Sequence, residues 1–311
     1  MQLALMTEPQ LGMTYETLLD MARFAEGAGL AAFSRSDHYS FSRVTGPHAT
    51  DAFATLAGLA RDTTRIELVV LVSPITFRHP AVIAKMAATI DEMSRGRLAL
   101  GVGTGWMELE HQNFGIPFPD QAERFARLEE ALAYLHHAFG RLPGTFHGRH
   151  YALEEIEVHP RPGKRVRIVV GGSGERRTPR LAGTYADEYN FVLGPAADMT
   201  TRITRARDAA GRAGRDPGDL LISVMTPVIT GHERVDFERN LSRMAAVDPW
   251  QRTAEELATR YRERGLPMGT ADDVRRTVAT LADLGVGRIY VQHFGPYEHD
   301  LLAETFEVLR S

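Results

Sequence analysis

The sequence predicts a (β/α)8 barrel. Short apolar runs alternate with longer amphipathic segments through most of its 311 residues. Eight such runs occur, and helix-spaced segments separate nearly all of them. The runs are apolar throughout, a pattern that belongs to parallel strands covered on their outer side. Eight units fit a closed barrel of about 250 residues, and the excess length leaves room for insertions.

The first strand is Leu3–Met6, followed by a helix over about Thr14–Gly27 with Leu18, Ala22 and Ala25 on one face. Ala31–Phe33 is the second strand, and a helix near Asp51–Arg61 follows it. The third strand, Ile66–Val72, leads to a helix near Ala81–Met93, and the fourth, Leu98–Val102, runs into "GTGW". Val166–Val170, Tyr189–Val192, Leu220–Met225 and Arg288–Gln292 complete the set. Two insertions interrupt it: Pro117–Arg165, with a long helix from about Asp120 and a hairpin at "FHGRHYALEEIEVHP", and Gly231–Gly269. No repeat or linker divides the chain, so residues 1–311 read as one domain with insertions near 117–165 and 231–269.

Composition narrows the partners. The net charge of −4 argues against nucleic acid, which calls for a basic face. Cysteine is absent, which removes disulfides, thiolate nucleophiles and Cys-ligated zinc. "MQLALMTEP" lacks the basic and apolar regions of a secretory signal. Runs such as "LVVLV" are far too short to span a bilayer. The expectation is a soluble cytoplasmic protein with no nucleic-acid or membrane partner. Metal is a weak reading, because "HGRH" (His147, His150) lies in an insertion and His-Glu-x-x-His does not occur.

"VVGGSGERR" poses the sharpest motif question. A dinucleotide fingerprint needs a third glycine where Arg177 stands and should follow the first strand, not the fifth. A nucleophile elbow fails because Glu175 occupies its last glycine. No G-x-x-x-x-G-K-[ST] occurs. What remains is phosphate capture: Gly171, Gly172, Ser173 and Gly174 offer backbone N–H groups, a helix from near Glu175 adds its positive end, and Arg176 and Arg177 add charge. A tight turn with solvated arginines is the plain alternative.

Barrel sites collect residues that follow the strands' C-terminal ends. "SRSDHYSF" places Asp37 and His38 at that rim, and histidine suits proton transfer near neutral pH. "GVGTGWMELEH" adds Thr104, Gly105, Trp106, Glu108 and Glu110, its glycines allowing close approach of a flat ligand. Tyr39, Phe41, Trp106 and the segment near Asp248–Arg262 would shape a substrate pocket. No lysine follows a strand end: Lys85 lies on a helix and Lys164 precedes a strand, which disfavours a Schiff-base aldolase.

Together "SDH", "SPITFRHPAVIAKMAATIDEMSRGRLALGVGTGW" and "VVGGSGERRTPRLAGTYADEYN" resemble the luciferase-like monooxygenase superfamily, most closely its branch using coenzyme F-420, an 8-hydroxy-5-deazaflavin. The resemblance spans most of residues 1–195 and implies a barrel, commonly a homodimer, with the cofactor ring at the strand C-termini. It further implies proton transfer at His38 beside Asp37. A non-prolyl cis peptide is implied around Val70 and Leu71, with Ser73–Pro74 as the alternative place. Thr104 and Gly105 are implied to contact the ring, and Gly171–Gly174 to hold the phosphate with Arg176 or Arg177. Where some relatives carry a catalytic acid directly after that glycine, Trp106 stands here, leaving Glu108 as a candidate. The implied activity is hydride transfer between F-420 and a small organic substrate; an FMN-dependent monooxygenase using reduced flavin and oxygen is the alternative.

Overall fold

The computed structural model describes residues 1–40, 49–155, 158–160, 166–295 and 297–310. Phe41 and Lys164, both weighed from sequence, lie outside them. Eight parallel strands close into a barrel. They are β1 (Gln2–Thr7), β2 (Ala32–Arg35), β3 (Glu67–Pro74), β4 (Leu98–Gly103), β5 (Arg167–Gly171), β6 (Glu188–Val192), β7 (Leu221–Thr226) and β8 (Arg288–His293). Each pairs with its neighbours in chain order, and β8 closes against β1. Every strand overlaps its expected run.

Alternation of side chains across the strands builds two cores. Leu3 and Leu5 of β1, with Leu68 and Val70 of β3, pack outward against the helices. Ala4, Met6, Val69 and Leu71 turn inward and meet Ala32, Ala99, Val169 and Tyr290. Several inward residues are alanine, so the barrel interior closes tightly.

Charge seals the N-terminal end. Glu67, Arg167, Glu188 and Arg288 are the first residues of four strands. Arg288 donates to Glu188 at 3.0 Å and to Glu67 at 2.9 Å, and Arg167 reaches the same two carboxylates at 3.1 and 2.7 Å. Burial opposes the Arg288 charge, but Glu188, Tyr290 and Glu67 outweigh it and hold the guanidinium protonated.

The sheet is irregular at one place. Val70 pairs with Leu100 and Ser73 with Val102, so Leu71 and Val72 together oppose Gly101. The Leu71–Val72 peptide is cis. It lies one bond beyond the Val70–Leu71 position expected from the resemblance, and Ser73–Pro74 is trans. Glycines make room for the bulge. A Cβ on Gly101 would lie 2.1 Å from the Val70 carbonyl oxygen, and Cβ atoms on Gly103 and Gly171 would lie 2.9 and 2.6 Å from Val72 methyls.

Two segments between barrel strands carry further elements. The first holds the helix Gln121–Ala138, capped by Asp120, and a ribbon pairing Phe146–His147 with Ala152–Leu153. The second folds the helices Arg234–Ala246 and Ala254–Arg264 beside a short parallel pair, Ile229–Gly231 with Met268–Thr270. Among the described residues no helix is long and apolar enough to cross a membrane.

Replacing Arg288 by Met should lower unfolding free energy by about 3–5 kcal/mol, because buried Glu188 keeps only the partly exposed Arg167 as a partner. Urea unfolding followed by far-ultraviolet circular dichroism measures it; a loss under about 1 kcal/mol would mean that the plug is not closed by this residue.

Candidate active site

The mouth of the barrel is organised by one ion pair. Asp37, 1% exposed, follows β2 and accepts from Arg78 Nη1 at 2.5 Å, Arg78 Nη2 at 3.2 Å and Ser73 Oγ at 2.7 Å. Arg78 follows β3 and also donates to the Tyr39 hydroxyl at 2.6 Å and to Asp51 at 2.5 Å. Asp51 caps the helix Ala52–Asp62, so one guanidinium joins two rim loops to a helix start. Burial pushes the Asp37 pKa up, against the pull of Arg78, Ser73 and Arg35. Arg35 is fully buried beneath, and desolvation lowers it to about 10 although Asp37, Asp51 and Glu8 favour its charge.

His38 follows Asp37 but bonds elsewhere. Its Nδ1 lies 3.0 Å from Glu110 Oε2, while Glu110 Oε1 accepts from the backbone N–H groups of Tyr39 and, at 2.9 Å, Ser40. A carboxylate already receiving two donors is placed as an acceptor, which puts the proton on Nδ1. Nε2 then hydrogen-bonds to no described residue. The ring stands edge-on to Trp106 with centroids 5.6 Å apart.

Burial opposes the His38 charge, but the Glu110 hydrogen bond and the charges of Glu8, Glu110 and Asp37 outweigh it, raising the pKa above 6.5. The linkage follows. A raised folded-state pKa contributes stability fully present below the ordinary value of 6.5 and lost as pH rises through the folded one.

A third carboxylate faces the same mouth. Glu8, 6% exposed just past β1, accepts from Gln10 Nε2 at 2.7 Å and Gln292 Nε2 at 2.5 Å. Gln10 in turn accepts from Ser36 Oγ at 2.9 Å, which links the network to the residue before Asp37.

The remaining sequence candidates divide. Glu108 is exposed and bonds only to Gln112 at 3.2 Å among the described residues, so the buried acid of that segment is Glu110. Ser73 spends its hydroxyl on Asp37, and Val70 and Leu71 are buried in the two cores, leaving half-buried Val72 over the glycines. Thr104 is half-buried and Trp106 is 69% exposed. Gly105 takes φ +75°, and a Cβ there would press to 3.2 Å on Pro74 and Thr76.

On the far side of the mouth Gly172 takes φ +146°, and a Cβ on Gly174 would lie 2.7 Å from Thr178 Oγ1. The helix starts at Arg177, two residues later than expected, and no side chain caps it. Its uncapped N-terminus and the Gly172–Gly174 turn before it have the backbone character that suits an anionic phosphate. Ser173 Oγ accepts from Val192 N at 3.3 Å and so braces the loop. Arg177 lies over the Phe125 ring, 5.4 Å from its centroid, and Arg176 is exposed.

Comparison with known proteins names this geometry. The sequence profile of the luciferase-like monooxygenase family matches residues 2–288. This chain belongs to that family. An F-420-dependent glucose-6-phosphate dehydrogenase of Nakamurella multipartita is 34% identical over 244 residues, 77% of this chain and 71% of its own. A protein of the same name from Microbacterium testaceum is 33% identical over 285 residues, 86% and 84% of the two chains. A pyrimidine monooxygenase of Allorhizobium ampelinum is 32% identical over 183 residues, 56% of this chain and 49% of its own. Among solved structures, an F-420-dependent secondary alcohol dehydrogenase superposes with a TM-score of 0.80 at 19% identity, covering 100% of this chain and 99% of its own, which shows the shared fold. As a luciferase-like family member the chain is an enzyme of the oxidoreductase–monooxygenase type, and fold and homology support a flavin-type or deazaflavin-type cofactor.

The resemblance implies proton transfer at His38 beside Asp37; in the structure the His38 ring meets Glu110, seventy-two residues away. Glu8 and Arg78 went unremarked, though both follow strand ends, the place where a barrel collects its chemistry.

Substituting Glu110 by Gln should move the His38 titration to lower pH, because the hydrogen-bonded charge is lost while burial stays. Histidine ring NMR signals followed across pH measure the shift; an unmoved titration would remove Glu110 from the account.

Proposed function

We propose that the protein transfers a hydride between coenzyme F-420 and a small organic substrate, with His38 Nε2 giving or taking the accompanying proton. The observation that carries this reading is the His38–Glu110 pair at the barrel mouth, whose second ring nitrogen hydrogen-bonds to no described residue. The choice of F-420 is supported by the two F-420-dependent relatives at 33–34% identity over more than three quarters of this chain.

A bound deazaflavin supplies two-electron hydride chemistry and reacts poorly with oxygen. Gly172–Gly174 and the N-terminus at Arg177 would hold its phosphate through backbone N–H groups, with Arg176 adding positive charge. Val72, over its glycines, and Gly105 would back a flat ring. Glu110 fixes the His38 tautomer: Nε2 accepts a substrate hydroxyl proton in one direction and, as imidazolium, returns it to a carbonyl oxygen in the other. The raised pKa keeps the donor form populated nearer neutrality. Asp37 acts through Arg78 by holding the loop that carries His38.

FMN-dependent oxygenation is the second reading, supported by the pyrimidine monooxygenase at 32% identity. Equilibrium titration by fluorescence separates the two. F-420 should bind at least about tenfold more tightly than FMN, a difference of about 1.4 kcal/mol; absence of F-420 binding would overturn the proposal. Replacing His38 by Ala should leave F-420 binding intact and lower turnover by about 10²–10⁴-fold, measured as oxidation of reduced F-420 with a panel of ketones.

A further inference from the structure

The strand that leads into the His38 loop ends on a buried charge. Phe33 and Arg35 of β2 share the outward side of the strand, which packs against helices: Phe33 joins the outer core, and Arg35 reaches the helix Ala52–Asp62. Arg35 is 0% exposed, and among the described residues it makes no ion pair. Its Nε donates to Ser36 O and its Nη2 to Thr50 O, both at 2.8 Å. Nη1 lies 2.9 Å from Thr50 Oγ1, 3.0 Å from Thr55 Oγ1 and 3.3 Å from Asp51 O. Every one of these acceptors is neutral. A cation is among the costliest groups to bury, and neutral acceptors offset that cost only in part.

The contacts share one consequence. Ser36 is the first residue beyond β2, and Thr50 and Asp51 are the last before the helix. One guanidinium therefore joins the two ends of the loop that carries Asp37, His38 and Tyr39. A rigid fork of five N–H donors reaches both ends at once, whereas an ammonium on a flexible stem is a point charge. Arg78 holds the same loop from the mouth side, through Asp37, Tyr39 and Asp51. Arg35 holds it from beneath. The N–H groups of Tyr39 and Ser40 meet Glu110 only while the loop keeps this place, and Glu110 in turn holds the His38 ring.

We propose that Arg35 is a positioning residue for the reaction: by tying the ends of the His38 loop to each other, it keeps His38 on Glu110. It touches neither ligand nor reacting atom and acts through Ser36 and Thr50. The role belongs to the shape of the fork, not to its charge. The inference rests on reading His38 as the proton-transfer group.

The Arg35→Lys variant keeps the charge and loses the fork, so it separates the two. Its His38 titration, followed by ring NMR signals, should move to lower pH by at least about half a unit, because the Glu110 contact loosens while burial stays. Oxidation of reduced F-420, with a ketone that the unsubstituted protein accepts, should slow by about 10–100-fold, the scale of an ångström's misplacement. KM for that ketone should stay within about twofold, the mark of an interaction that matters in the transition state alone. Added to Glu110→Gln, Arg35→Lys should change neither the titration nor the rate further, since the contact it supports is already lost. An unmoved His38 titration in Arg35→Lys would overturn the proposal. So would an equal loss of rate with and without Glu110→Gln, which would make the effect independent of the His38–Glu110 contact. Circular dichroism reports whether each variant folds. Should Arg35→Lys not fold, Thr50→Val, which removes one acceptor and no charge, takes its place with the same directions and a smaller shift. If no form of the protein oxidises reduced F-420, the hydride-transfer reading fails, and the titrations still decide the role of Arg35.

Discussion

The mouth of this barrel depends on the buried pair of Asp37 and Arg78. Two rim loops, after β2 and β3, have no hydrogen-bonded ladder to hold them once their strands end. Arg78 supplies the missing connection, since its guanidinium meets Asp37, Tyr39 and Asp51 together. A buried pair of this sort adds little net stability, yet leaving either member alone costs about 3–5 kcal/mol. Its value is positional. With the loop fixed, the N–H groups of Tyr39 and Ser40 aim at Glu110, and Glu110 then aims the His38 ring. Asp37, Arg78 and Glu110 thereby set the position of one ring nitrogen.

A comparable division of labour holds in β3. The extra residue there pushes Val72 into the barrel, and three glycines from β4 and β5 give it space. In sequence the glycines of "GVGTGW" and "VVGG" read as places of close ligand approach. Gly101, Gly103 and Gly171 answer to packing instead, because any Cβ there collides with the bulge. Gly172 and Gly174 lie beyond the bulge, next to Thr178.

The barrel was legible because its signal is local and repeated. Each strand is a run of apolar residues, and several helices carry a side-chain cap, as with Thr14, Asp51 and Asp120. Site contacts are a different matter. Asp37 and His38 are neighbours in the chain, and adjacency suggested a pair. Adjacent residues near a strand end point in different directions, so each found a partner from another loop. Glu110 and Glu108 are equally acidic in the sequence; the short helix Glu108–Phe114 buries one and exposes the other. Nothing in their spacing distinguishes them.

The central claim is that one mouth holds a deazaflavin with its phosphate on Gly172–Gly174 and its ring edge at His38. A crystal structure of the protein with oxidised F-420 tests it most directly. The account predicts phosphate oxygens accepting from the N–H groups of that loop and of Arg177, with His38 Nε2 open toward the reactive face of the ring and Nδ1 still on Glu110. A phosphate bound elsewhere, or a ring that leaves His38 on the far side of the barrel mouth, would contradict it.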